Sequence, residues 1–167
     1  VIAGSSTGGL IAIEFACRHP AQVKGLILVG SPGFDRELAL FLRLMSVPIL
    51  GEFMARPTKG RLGALLNTIF YDRRAIPADL LDEMRRSRST PGATQAMLSA
   101  LRSGATLRGL RPELLMLKKA QGLTMPTLIC WGEEDRLVPV YQAYQAHDFI
   151  KGSELQIFPR CGHWPQM

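Results

Sequence analysis

The sequence is poor in cysteine, histidine and aromatic residues, and it has no long apolar run. Three cysteines without a CxxC pair do not make a disulfide framework. Cys17 lies in a helical pattern and Cys130 in an apolar run, so both are interpreted as buried thiols of a reducing compartment. The three histidines do not cluster with the cysteines, and we expect neither a metal nor another cofactor. No apolar run reaches the roughly 18 residues of a membrane span. These absences predict a cytoplasmic protein without a membrane-spanning segment.

The positive charge is concentrated in the middle of the chain. The net charge is +6, and fifteen basic against eight acidic residues lie between Gly33 and Gly122. Aromatic residues, only 7% of the chain, do not interleave with these arginines, and no nucleic-acid motif is present. We therefore expect no nucleic-acid partner. The basic residues are interpreted mainly as a solvated helical surface, and where they are functional, as attracting an anionic small-molecule substrate. The oligomeric state stays open.

Strands alternate with helices at both ends of the chain. Four short apolar runs are each followed by turn residues, which is typical of strands buried on both faces. Helices are predicted from Gly8 to Arg18 and from Tyr141 to Ile150. This alternation predicts an α/β fold with a mostly parallel sheet and right-handed crossovers. The apolar runs begin at Val1, Val23, Met125 and Ser153.

The middle of the chain has a different pattern. Residues 35–122 show helical periodicity interrupted by prolines, and no clear strand is visible among them. We expect an all-helical insertion between two sheet strands. The predicted domains are therefore a sheet-forming core in residues 1–34 and 123–167 and a helical cap in residues 35–122.

The stretch GSSTG at residues 4–8 fits the pattern G-x-S-x-G with Ser6 in the centre. A nucleophile on a sharp strand-to-helix turn has a strained backbone, and small residues two before and two after it avoid clashes. The next N–H, from Thr7, would then point into an oxyanion site at the helix N-terminus. Ser5 in the central role would need small residues at positions 3 and 7, which is a poorer match. An ordinary turn serine is the alternative to a nucleophile.

A serine hydroxyl needs a base, and the base needs an orienting acid. Asp135 and His163 each follow a predicted strand, and the carboxyl ends of parallel strands meet at one edge of a sheet. The order Ser6, Asp135, His163 is the chain order of one known type of catalytic triad. The competing residues for the acid and the base are Glu133, Glu134, His19 and His147.

These segments resemble the α/β-hydrolase superfamily. GSSTGGLIAIEFACRHPAQVKGLILVGSPG, PTLICWGEEDRLVPV and CGHWPQM are similar to its nucleophile, acid and histidine blocks. The resemblance implies a partial α/β-hydrolase fold, with Ser6 as nucleophile, Asp135 as acid, His163 as base and Thr7 as one oxyanion-hole donor. Trp164 either lines the substrate pocket or packs the loop. The resemblance also implies upstream strands, so we expect a fragment of a longer hydrolase with an unpaired sheet edge at residues 1–3.

The resemblance narrows the reaction without fixing the substrate. Relatives that are haloalkane dehalogenases or epoxide hydrolases use aspartate where this chain has Ser6. The expected reaction is hydrolysis of a carboxylic ester through an acyl-enzyme. The alternatives are a carbon–carbon bond hydrolase of aromatic ring-cleavage products, whose histidine block is similar to CGHW but which usually has Asn in place of Ser5, and a cofactor-free perhydrolase or acyltransferase. A ligand receptor or inactive scaffold on the same fold is the alternative from a different class.

Overall fold

The computed structural model describes residues 1–167 as eight α-helices and six strands, joined by short 3₁₀ turns. In chain order the elements are β1 (Ile2–Ser5), α1 (Thr7–Arg18), β2 (Leu26–Val29), α2 (Leu40–Met45), α3 (Leu50–Met54), α4 (Lys59–Ile69), α5 (Leu80–Ser89), α6 (Ala93–Gly104), β3 (Ala105–Thr106), β4 (Gly109–Leu110), α7 (Leu117–Ala120), β5 (Thr127–Gly132), α8 (Tyr141–Phe149) and β6 (Glu154–Phe158).

Four strands form a parallel sheet in the order β1-β2-β5-β6. The strands on either side of β2 pair in register, so that Ser5 lies opposite Val29 and Val29 opposite Cys130. Both central strands are apolar and alternate buried with partly buried residues, and Leu28 and Ile129 are fully buried. The carboxyl ends of all four strands therefore lie along one edge of the sheet, as the α/β prediction requires.

The core is a single cluster of 25 buried residues that joins the sheet to its helices. Helix α1 packs on β1 and β2, while α8 packs on β5 and β6. Each helix buries small residues against the sheet, such as Ala12 and Ala16 in α1 and Ala143 and Ala146 in α8. Small side chains let the helix backbone approach the strands closely, which fixes the helix ends relative to the strand ends.

Residues 40–104 form five helices that contact chiefly one another. The prediction of a strand-free middle segment is wrong in one place, because β3 and β4 pair as a short antiparallel hairpin. Strands of two residues are too short to show an alternating pattern. The turn depends on Gly109, whose φ of +96° favours glycine and whose Cβ, if present, would collide with the carbonyl oxygen of Arg36. The domain boundaries at residues 34 and 122 stay a prediction.

Strand β1 is the outermost strand of the sheet, and its second edge has no partner. Within this chain, Ile2 and Ala3 pair only with Leu26 and Ile27 of β2. Apolar side chains nearby are also exposed, with Val1 81% and Ile11 67% accessible. None of the eight helices combines the length and the apolar character needed to cross a bilayer.

Candidate active site

Ser6 occupies the turn between β1 and α1 with an unusual backbone conformation. Its φ of 50° and ψ of −125° lie outside the regions that residues with a side chain normally adopt. Such a conformation costs about 1–3 kcal/mol and persists only where surrounding structure holds it. Here the Ser6 N–H donates to the carbonyl of Val29 at 2.8 Å, and the Gly9 N–H donates to the carbonyl of Ser6 at 2.8 Å. Hydrogen bonds to both the N–H and the carbonyl of Ser6 thus fix the turn, with Ser6 directly before the N-terminus of α1.

Glycines allow the strand and helix to come close at this turn. A Cβ at Gly4 would collide with the carbonyl oxygen of Gly8, so the residue two positions before Ser6 has to be glycine. A Cβ at Gly8 would meet nothing within 4 Å, so the steric need expected two positions after Ser6 is absent there. The second tight position is Gly9, where a Cβ would collide with the buried Ser31 hydroxyl. The sequence pattern gave no sign of this contact.

Thr7 is the first residue of α1 and is exposed. The N–H of a first helical residue has no acceptor within its own helix. It therefore lies free beside Ser6, at the helix end where the macrodipole favours negative charge. This is the placement expected of one oxyanion-hole donor.

Asp135 and His163 form a buried pair. His163 Nδ1 lies 2.7 Å from Asp135 Oδ2, and the two residues are 2% and 7% exposed. The other carboxylate oxygen of Asp135 accepts from the backbone N–H groups of Leu137 and Val138 at 2.8 and 3.0 Å. An ionised carboxylate only accepts, so Nδ1 is the donor in this contact, and in a neutral imidazole Nε2 is then the acceptor nitrogen. This is the tautomer that a general base needs.

Ser6 and the His163 pair lie at the same edge of the sheet. The carbonyl of Val29 accepts from the Ser6 N–H, and the next residue is Gly30. Gly30 lies against the His163 ring, because a Cβ at this position would be 3.2 Å from the ring. Gln166 Nε2 lies 3.5 Å from the Ser5 hydroxyl, so the chain after His163 passes over the end of β1. The Ser6 hydroxyl makes no hydrogen bond to His163. Such bonds often tighten only when substrate binds.

The competing acids differ from Asp135 in their surroundings. Glu134 Oε2 accepts from the backbone N–H of Cys161 at 2.8 Å, which ties the acid loop to the histidine loop. Glu133 is exposed.

Burial, followed by the charges of Glu134 and Asp135, raises the pKa of the Cys161 thiol and disfavours a reactive thiolate there.

The competing histidines lie elsewhere. His19 follows the last residue of α1 and is exposed, whereas His147 Nδ1 lies 2.9 Å from the Ser153 hydroxyl. No three His, Cys, Asp or Glu side chains are grouped closely enough to hold a metal ion.

The end of α4 holds the histidine loop, a contact that the sequence did not indicate. The His163 N–H donates to the carbonyl of Ile69 at 2.7 Å, and a Cβ at Gly162 would collide with the same carbonyl oxygen. Trp164 is partly buried and packs edge-on against Phe70, with ring centroids 5.8 Å apart. A main-chain hydrogen bond between distant loops does not depend on residue type. The sequence therefore could not predict the contact between Ile69 and His163.

Comparison with known proteins places this chain in a family. The model of the alpha/beta hydrolase fold matches residues 1–167. A 2-hydroxy-6-oxononadienedioate/2-hydroxy-6-oxononatrienedioate hydrolase of Cupriavidus pinatubonensis is 30% identical over 169 residues, covering 99% of this chain and 56% of the relative. A 2-hydroxy-6-oxo-6-phenylhexa-2,4-dienoate hydrolase of Burkholderia cepacia is 28% identical over 167 residues, with the same coverage.

A solved structure shows the same fold. A serine hydrolase from the polyaromatic hydrocarbon-degrading bacterium Cycloclasticus zankles superposes with a TM-score of 0.81 at 26% identity, covering 99% of this chain and 57% of that one. The chain thus spans a little over half the length of the relatives it matches. Since the family model covers the whole chain, this chain belongs to the alpha/beta hydrolase fold family.

Proposed function

We propose that this protein is a serine hydrolase in which Ser6 attacks a carbonyl carbon. One observation carries the proposal: a strained serine at a helix N-terminus shares a sheet edge with a buried Asp–His pair. A strained backbone conformation at a residue other than glycine often indicates function when the surrounding structure holds it in place. The same sheet edge is where open α/β folds place their sites.

The proposed reaction has two halves. In the first, His163 Nε2 takes the proton of Ser6, the Ser6 oxygen bonds to the carbonyl carbon, and the Thr7 N–H stabilises the resulting oxyanion. The imidazolium then protonates the leaving group as its bond to the carbonyl carbon breaks. In the second half, His163 takes a proton from water, the hydroxide attacks the acyl-enzyme, and the proton returns to Ser6. Asp135 holds the required tautomer and stabilises the imidazolium.

The substrate class that we favour is a vinylogous 1,5-diketo acid, cleaved at a carbon–carbon bond. The two relatives described above are named as hydrolases of 2-hydroxy-6-oxo dienoates, and the serine hydrolase of known structure comes from an aromatic-degrading bacterium. The excess of basic residues between Gly33 and Gly122 suits an anionic substrate. Trp164, partly buried beside the base, is our candidate for a substrate contact.

Hydrolysis of a carboxylic ester is the second candidate, and it is the one that the residues alone favour. The triad needs no change for it, because the attacked group is a carbonyl in both reactions. Ser5, which stands where carbon–carbon hydrolases usually have Asn, supports this candidate. Acyl transfer to another acceptor would use the same acyl-enzyme. A receptor on this fold would complete at most one slow turnover per site.

The experiment compares turnover of a diketo acid and of p-nitrophenyl esters by the protein in its full length. We expect the diketo acid to be hydrolysed with multiple turnovers, and Ser6→Ala to lower kcat by at least about 10³-fold on any accepted substrate. Ser5→Ala is the matched control, because it removes the neighbouring hydroxyl from the same turn, and we expect it to retain activity within about tenfold. Equal effects of the two variants would refute the assignment of Ser6. Turnover of esters alone would reverse the order of the two substrate classes.

A further inference from the structure

A cavity of about 320 Å³ lies among the middle helices, apart from the residues of the candidate active site. It is mainly apolar and is formed by side chains from α2, α3, α4 and α5. Neither Ser6, Asp135 nor His163 lines it. Its volume is at the lower end of the range for small-molecule sites. The apolar lining includes Phe41, Met45, Met54, Leu62 and Leu65.

Three arginines also line this cavity, and none of them has a carboxylate partner. Arg56, Arg61 and Arg88 make no ion pair with any Asp or Glu in the chain. The first two flank one aromatic side chain, since their guanidinium carbons lie 5.5 and 4.3 Å from the ring centroid of Phe53. Arg61 also donates to the backbone carbonyl of Phe53 at 2.6 Å. An apolar cavity with three cations that lack a carboxylate partner is complementary to a molecule with one anionic end.

Arg88 is the most informative of the three. Its guanidinium is partly buried against the sulfur of Met97, and burial alone lowers its pKa. A partly buried cation without a partner is unfavourable, and an anion would offset that penalty. Arg102, another partly buried arginine of the same helical region, shows the usual solution, because its guanidinium lies 2.7 Å from the carboxylate of Glu52. The chain supplies a carboxylate to Arg102 and none to Arg88.

We propose that this cavity binds an amphipathic carboxylate, a medium-chain fatty acid or an arylalkanoic acid, at a site separate from Ser6 and His163. The carboxylate pairs with Arg88 and its neighbouring arginines, and the apolar part lies against the methionine, leucine and phenylalanine side chains. The volume is about ten times the roughly 30 Å³ share of a water molecule in the liquid, which accommodates a chain of about eight carbon atoms.

The cavity lies close to the candidate active site along α4. Thr68 lines the cavity, and the next residue, Ile69, accepts the hydrogen bond from the His163 N–H. The carbonyl of Asn67 accepts from Arg136 in the acid loop at 3.4 Å. The experiment therefore has to separate an independent site from an extension of the substrate pocket.

Octanoate is the probe, and octanamide is its neutral counterpart. Calorimetric titration of the full-length protein should show saturable octanoate binding, with octanamide bound at least about tenfold more weakly, the difference expected of one charge-assisted hydrogen bond. Arg88→Met should weaken octanoate binding by a similar factor. Arg85→Met is the matched control, because Arg85 is exposed on the same helix α5 and does not line the cavity, and it should bind octanoate like the parent. Arg88→Lys, which keeps the positive charge, replaces Arg88→Met in this comparison if the methionine variant does not fold.

Binding to protein whose Ser6 has been blocked with a fluorophosphonate distinguishes the two sites. We expect unchanged octanoate affinity after blocking, and also in Ser6→Ala. Absence of saturable binding, equal affinity in Arg88→Met and Arg85→Met, or loss of binding on blocking Ser6 would each overturn the proposal. The octanoate titration and its Ser6→Ala control need no nucleophilic Ser6, so if the proposed hydrolase reaction fails and Ser6 cannot be blocked, these two measurements still decide the proposal.

Discussion

Replacement of Asp135 by Asn removes one charge from the candidate site while keeping its shape. In the structure, one carboxylate oxygen of Asp135 accepts from two backbone N–H groups, and the other accepts from His163 Nδ1. The amide oxygen of Asn can still accept from the two N–H groups. Its NH₂ group then faces Nδ1, and two donors cannot share one hydrogen bond. The imidazole therefore switches its proton to Nε2, the nitrogen that should accept the proton of Ser6.

The magnitude of this effect follows from the role of the base. With the proton on Nε2 the histidine can no longer take the proton of Ser6 in the proposed reaction, and the same exchange in a serine protease lowers kcat about 10⁴-fold. That factor corresponds to about 5 kcal/mol of transition-state stabilisation. The folded state should hardly change, because the amide oxygen still accepts from the backbone N–H groups of Leu137 and Val138. Asp135→Ala differs, since it leaves the N–H groups of Leu137 and Val138 without their acceptor, at about 1–3 kcal/mol each.

The assay measures turnover and thermal unfolding of both variants in parallel. We expect Asp135→Asn to lose nearly all turnover with a melting temperature close to that of the parent, and Asp135→Ala to lose both turnover and stability. The nitrogen chemical shifts of His163 should report the changed tautomer in the Asn variant. If Asp135→Asn keeps more than about a tenth of the parent turnover, Asp135 does not orient the base, and the reasoning is refuted.

Three further predictions concern backbone strain, close packing and an ion pair. Ser6→Gly should abolish turnover but raise stability by about 1–2 kcal/mol, because relief of the strained φ outweighs the entropic penalty of glycine; an unchanged or lower melting temperature contradicts the strain. Gly162→Ala should destabilise the fold by about 2 kcal/mol or more, since its Cβ collides with the last carbonyl of α4, whereas the control Gly63→Ala, with open space, should stabilise by up to about 1 kcal/mol in denaturant titrations. The Lys119 ammonium beside Glu14 holds the pKa of that carboxyl below its usual value, so the pair contributes stability above about pH 4.5 that is lost as the pH falls further. Lys119→Met should therefore lower the free energy of unfolding by at most about 1 kcal/mol at pH 7, and the variant should lose less of that free energy than the parent as the pH falls below about 4.5. An equal loss in parent and variant would contradict this prediction.

The candidate site residues were more visible in the sequence than the contacts that hold them in place. The candidate residues Ser6, Asp135 and His163 stand out because each follows an apolar run, and strand ends of a parallel sheet converge. The tight packing of Gly9 against Ser31 was not visible, because glycine at a helix start has many uses. The steric need assigned to Gly8 instead of Gly9 shows the same limit: a motif gives spacing but not which backbone atoms meet.

The middle helices were predictable as helices but not in their contacts. The β3–β4 hairpin escaped detection because its strands have two residues each. The hydrogen bond from the His163 N–H to the Ile69 carbonyl joins main-chain groups 94 residues apart. Such a bond depends on tertiary packing and not on side-chain type. The unpaired state of Arg88 likewise became visible only when its surroundings were known, since the same segment is rich in arginines that are exposed.

The most direct test of the central claim is peptide mapping of the full-length protein after reaction with a fluorophosphonate. The account predicts a single phosphonylated residue, Ser6, with labelling lost in Ser6→Ala and slowed by at least about 10³-fold in His163→Ala. Labelling of Ser5 or Cys161 in place of Ser6, or labelling of Ser6 that is indifferent to the loss of His163, would contradict it.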